Sequence, residues 1–194
     1  MAHAHGDDHD LHRGYATQIE RDRAAKDAFF RSSSHSPIPA RARPDFAGLA
    51  SFPVDSAHRF AGLRLSSYEG DGPPTFEIPT SDGRMRPARR VGLLRFEVGG
   101  VTHALTAYDL SGGHDHSLFV PFLDATSGTE TYGAGRYLDL EPEPDGTYVL
   151  DFNLAYHPYC AYSVEYSCPL TPGENRLPVR IEAGERLPGH DAGG

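Results

Sequence analysis

A chain of 194 residues with 38% apolar content has the length of one domain, enough for a sizeable core with long connections. Its net charge of −9, with Lys26 as the one lysine among 18 basic residues, excludes the clustered cations that nucleic acid needs. No run of about 18 apolar residues is present to span a membrane, and the scattered 21 Gly and 16 Pro favour short strands joined by turns.

Residues 1–12 hold four of the 11 histidines and no apolar signal-peptide core. They read as a disordered, His/Asp-rich terminus that could take up a metal adventitiously but lies outside the fold. The expected location is cytoplasmic, and the preference for Arg over Lys suggests a GC-rich genome. From 13 to 31 the chain reads as a helix, with Tyr15, Ile19, Phe29 and Phe30 as a discontinuous apolar face. The Pro-rich strap that follows, 37–44, should run extended toward the anchors Phe46, Leu49 and Phe52.

Strands are expected at 59–68, 92–98, 101–108, 118–122, 136–140, 147–153 and 177–183. The pair flanking Gly99-Gly100 forms a tight hairpin, because both glycines supply positive φ. Closing it opposes Val98 to Val101, Phe96 to His103 and Leu94 to Leu105. The resulting face is apolar except for His103, which reads as a hydrogen-bonded core residue. The last two strands alternate, with Tyr148, Leu150 and Phe152, then Leu177, Val179 and Ile181, turned inward. The basic run 84–90, broken by Pro87, reads as a solvated loop. The fold class is therefore mainly β, a small antiparallel barrel or sandwich with one N-terminal helix. One domain covers 13–187, and 188–194 form a flexible tail.

Several strings are specific in wording: Arg23-x-x-Lys26-Asp27-x-Phe29-Phe30, Ser36-Pro37, Phe52-Pro53, Asp151-Phe152-Asn153 with Tyr156, Pro158 and Cys160, Cys168-Pro169, Glu174-Asn175, and Ala183-Gly184-Glu185. In these the chain resembles the bacterial and archaeal family known as domain of unknown function 1684. The resemblance spans 13–186 and implies a fold, without implying an activity. One departure is His157, where similar sequences tend to have Asn.

The chemistry of the C-terminal third admits several readings. Cys160 and Cys168 could staple a small loop, although a cytosolic chain is kept reduced. They could join His157, with His103 or His114, in a zinc site, or they could be ordinary buried thiols, the preferred reading. A Cys nucleophile would take His157 as its base if the turn at Pro158 folds back. The serine-hydrolase elbow, the His-Glu-x-x-His zinc motif and the phosphate loop are missing. Between 124 and 136, Asp124, Thr126, Tyr132 and Arg136 combine hydroxyls, Gly-freed N–H groups and a guanidinium, as an anionic ligand requires. The competing reading is a long turn held by its own side chains, with Arg136 paired to Asp151 or Glu130. Asp151 and Asn153 would meet Tyr156, Tyr159 and Tyr162 as a polar pocket if their face turns inward.

The leading expectation is a binding module for a small polar or anionic molecule, built from Asp124, Thr126, Tyr132, Arg136, Asp151, Asn153 and Tyr156. The alternatives are an enzyme using a thiol or a metal held by His157, Cys160 and Cys168, and a structural or interaction protein. A homodimer through sheet edges fits a small β domain.

Overall fold

The computed structural model describes residues 5–110, 112 and 117–189, with backbone alone for 5–12. His114, residues 1–4 and the end of the expected tail lie outside the described residues.

The leading helix, α1, runs His5–Ser32 and so begins earlier than the apolar pattern indicates. It docks through one stripe, Tyr15, Ile19, Arg23, Lys26 and Phe30, spaced three or four residues apart. The stripe is polar in its middle. Arg23 donates to the carbonyl of Phe52 (3.0 Å), and Lys26 meets Glu185 Oε1 at 2.5 Å. Ile19 and Phe30 are buried at either side, whereas Phe29, expected on the inner face, is 37% exposed. The strap does not stay extended: Ala40–Asp45 winds into a 3-10 turn before Phe46 packs against Phe30 at 6.1 Å between ring centroids.

Seven strands follow: β1 Arg59–Leu63, β2 Thr75–Pro79, β3 Met85–Val98, β4 Val101–Asp109, β5 Leu118–Phe122, β6 Arg136–Leu140 and β7 Tyr148–Asp151. A five-stranded antiparallel sheet has the order β2-β3-β4-β5-β6, and β1 pairs with β7 in a second sheet. Its edge strands β2 and β6 do not meet, so the fold is a sandwich and the barrel alternative is corrected. Leu94, Phe96, Leu105, Val120, Phe122 and Leu138 from the large sheet pack with Leu150 of β7 and with Phe152, which opens the 3-10 turn after it. Phe152 sits edge-on to Phe122 at 5.0 Å and tilted to Phe96 at 5.4 Å.

The hairpin at Gly99 (φ 59°) and Gly100 (φ 77°) has the predicted register, Val98–Val101, Phe96–His103 and Leu94–Leu105. His103 is buried beside Phe96, and its Nε2 has no hydrogen-bond partner among the described residues, contrary to the expected bond.

Two other expectations are corrected. The basic run is strand, because β3 extends back to Met85 and pairs with β2, burying Ile78 and Ala88. Pro87 is tolerated because it lies past the last β3–β4 pair, Arg89–Asp109, where its missing N–H removes no rung toward β4. Residues 177–183 keep the predicted inward alternation, with Leu177 and Ile181 buried, yet they form no strand. Two backbone hydrogen bonds, Leu177 N to Leu123 O (2.7 Å) and Ala125 N to Val179 O (3.0 Å), hold the first part, and side chains described below hold the rest. Among the described residues, no helix is long and apolar enough to cross a membrane.

Candidate functional site

The residues expected to bind a ligand divide into three places. Asp124, Thr126 and Arg136 form a buried latch. Alternation along β6 turns Arg136 into the core with Leu138 and Leu140, and its side chain is fully buried. Its guanidinium donates to the carbonyls of Ala183, Glu185 (3.3 Å) and Ile181 (2.8 Å), and stands 3.5 Å from Asp124. Asp124 accepts from Ile181 N at 2.8 Å and from Thr126 Oγ1 at 2.9 Å. Burial pushes the Arg136 pKa down, and Asp124 opposes that shift. The expected partners Asp151 and Glu130 are replaced by Asp124, and the expected anion site is a structural joint with no opening toward a ligand.

That joint fastens the C-terminal segment where a strand was expected. Gly184 completes it at φ 78°, since a Cβ there would lie 2.6 Å from the carbonyl oxygens of Ala155 and Phe152. Asn175 does a similar task nearby. Its amide accepts from Thr106 N (2.8 Å) and donates to the carbonyls of Thr106 (2.8 Å) and Pro121 (2.7 Å), bridging β4 and β5 where their ladder consists of Tyr108–Phe119.

Asp151 and Asn153 form the second place, beneath α1. Asp151 accepts from the Tyr15 hydroxyl (2.6 Å), from Asn153 N and from Asn153 Nδ2 (3.0 Å each). Asn153 also exchanges hydrogen bonds with the backbone of Asp55. These groups tie helix and strap to the small sheet and do not meet Tyr156 in a common pocket.

The zinc alternative, of which His114 lies outside the described residues, finds no ligand cluster at the thiols and His157. Among the described residues, no group of three or more His, Cys, Asp or Glu side chains could hold a metal. His157 is buried, and its Nε2 accepts from Tyr132 N (3.2 Å), while its own N–H of the backbone donates to Glu185 Oε2 (2.8 Å). Burial lowers the imidazole to about 4, so it is neutral at physiological pH. Cys160 and Cys168 are both free; Cys160 N donates to Cys168 Sγ at 3.3 Å, and burial raises the Cys168 thiol to about 11. A protonated thiol of that kind is a poor nucleophile. Tyr132 is half-buried, with its hydroxyl 4.0 Å from Cys160 Sγ.

Tyr156 borders an open cleft, with Cys168 in its wall, while Asn153 lines a separate, smaller cavity beneath α1. Tyr156 pairs by backbone with Tyr137, adding one rung beyond β6 (2.9 and 3.1 Å). The sheet face here is the one opposite the core, so Tyr137 and Asp139 point away from Leu138. A cavity of about 480 Å³ is lined by Lys26, Tyr137, Asp139, Tyr156, Tyr159 and Tyr166, with Cys168 in its wall. That volume suits a small organic molecule. Tyr137 and Tyr156 meet edge-on at 5.8 Å, as do Tyr159 and Tyr166 at 5.2 Å. Tyr156 donates to Asp139 Oδ2 at 2.5 Å, leaving Oδ1 without a partner among the described residues, as are the hydroxyls of Tyr159 and Tyr166. Burial, followed by the Asp139 charge, raises the Tyr156 phenol far above the ordinary tyrosine range.

Sequence reasoning missed Lys26, Tyr137, Asp139 and Tyr166 as wall residues. The signal was present in β6, where Asp139 interrupts an otherwise buried strand on the face shared with Tyr137.

The model of the family described as "Protein of unknown function (DUF1684)" matches residues 44–186. The chain belongs to this family. Its match begins after α1, so the helix and first strap residues are supported by another likeness. The solution NMR structure of an uncharacterised protein from Haloarcula marismortui is 38% identical, covers 94% of this chain and 99% of its own, and superposes with a TM-score of 0.68. No curated protein matches the chain. The resemblance in the sequence motifs is thus confirmed at the level of family and fold.

Proposed function

We propose that this DUF1684-family domain binds a small polar organic molecule in the tyrosine-lined cleft. The observation that carries the reading is the coexistence, in one cavity of about 480 Å³, of four tyrosine rings with unspent polar groups on Asp139, Tyr159 and Tyr166. The other expected polar residues, Arg136, Asp124, Thr126, Asp151 and Asn153, bond to neighbouring protein groups, and a cleft that keeps open acceptors beside apolar ring faces fits a ligand. The ligand's contacts would be Asp139, Tyr156, Tyr159 and Tyr166, with Lys26 at the rim. Arg136, Asp124, Thr126, Asp151 and Asn153 would act at a distance, by holding the walls. The reading includes a cytoplasmic location, which two unpaired cysteines support, and no nucleic-acid partner, which the net charge of −9 supports.

Amide NMR with a fragment library tests it. Binders should shift the resonances of Tyr137, Asp139, Tyr156, Tyr159 and Tyr166 together. Shifts confined to other surfaces, or none from the whole library, would overturn the reading and leave a structural or interaction role.

A further inference from the structure

The chemistry of the cleft narrows the class of ligand. Its one carboxylate, Asp139, is exposed, and Oδ2 accepts the Tyr156 hydroxyl while Oδ1 stays open. The surrounding surface is aromatic, from Tyr137, Tyr156, Tyr159 and Tyr166. Ring faces carry negative electrostatic potential and attract cations, most strongly where water is partly excluded. The cleft wall already shows this attraction at work: Lys26 Nζ stands 4.8 Å from the centroid of Tyr156 and 5.5 Å from that of Phe30. Glu185, 2.5 Å away, neutralises that ammonium, so Lys26 does not make the cleft cationic. Lys26 occupies Tyr156 and Tyr137 is buried, so the rings of Tyr159 and Tyr166 and a free carboxylate oxygen remain, and an anion placed among them would face Asp139 with no uncommitted cation in the lining of this cavity.

We infer that the ligand is a small organic ammonium ion, its charge set against Asp139 and the faces of Tyr159 and Tyr166. This inference rests on the proposed cleft function and specifies its ligand. It replaces the anionic option suggested by the 124–136 segment, since the guanidinium on which that option depended is buried against the carbonyls of Ile181, Ala183 and Glu185.

The test is an NMR titration of the full chain with choline, with its uncharged isostere in which carbon replaces the ammonium nitrogen, and with pivalate. Choline should shift the cleft resonances and bind about tenfold tighter than the isostere, the size expected of one charge-assisted contact plus cation–π attraction. Asp139→Asn, at an exposed position, should keep the amide spectrum of the fold and cut the preference for choline over the isostere to about threefold, the part left to the ring faces. Tyr166→Leu should weaken choline by about threefold or more while altering the isostere less. Equal binding of choline and isostere, preferential binding of pivalate, or no shift with choline at any attainable concentration would each overturn the ammonium assignment. Cleft binding of pivalate in preference to choline, or of the isostere as tightly as choline, would overturn it while leaving the cleft as a ligand site; failure of every fragment as well would remove both.

Discussion

The latch around Arg136 and the cleft around Tyr156 are made from the same kinds of residue and sit on opposite faces of one strand, yet they end in opposite states. In the latch, Arg136 and Asp124 have fully buried side chains and spend their charges on Ile181, Ala183 and Glu185, so the polar groups hold a segment whose backbone pairing to residues 123–125 stops at Val179. In the cleft, Tyr156 and Asp139 satisfy one another and leave other acceptors and hydroxyls open. One residue of offset along β6 separates the two fates, because successive side chains of a strand point to opposite faces. Polar composition therefore marks a site only after burial has been assigned.

Substitutions should separate the two regions, and the largest effect belongs to the latch. Arg136→Ala leaves Asp124 buried without its cation and three carbonyls without their donor, so denaturant unfolding should show a loss of about 3–5 kcal/mol. A variant nearly as stable as the parent would refute the joint. Asn175→Ala should follow, with a loss of about 3 kcal/mol, since Thr106 N, Thr106 O and Pro121 O would lie unpaired between β4 and β5.

His157 gives the latch side a pH signature. Its imidazole stays neutral in the folded protein down to about 4, against an ordinary 6.5 in the unfolded chain. The unfolded state thus binds more protons between these values, and stability falls as pH drops from 6.5 toward 4, by up to about 3 kcal/mol, with no contribution from this group above that window. Unfolding of His157→Gln, which keeps an acceptor for Tyr132 N, should lose this part of the acid sensitivity; an unchanged pH profile would reject the assignment. The smallest effect on stability should come from the cleft. Tyr166→Phe removes a hydroxyl with no partner among the described residues and should alter unfolding by under about 0.5 kcal/mol, whereas a loss of several times that would show the cleft wall to be structural.

Local chemistry made much of the fold legible. Gly99-Gly100 admits a two-residue hairpin, and the register of Leu94, Phe96 and Val98 against Leu105, His103 and Val101 follows from its closure. The helix was visible from its freedom from Pro and Gly after Gly14, but its docking stripe was not, because Arg23 and Lys26 supply hydrogen bonds where the pattern sought apolar residues. β2 and the start of β3 were hidden because charged residues cover the outer face of an edge hairpin.

By itself the sequence determined a mainly β domain of the DUF1684 family, the hairpin register and the inward alternation of residues 177–183, since these depend on residue type and period alone. Only tertiary structure decided that Arg136 and Asp124 stand in for a strand's partners, that Asp151 and Asn153 are taken by Tyr15 and Asp55, and that Lys26 meets Tyr156 across 130 positions of chain. Such pairings arise from long-range packing, and no period or spacing in the chain encodes which buried polar group will find which partner.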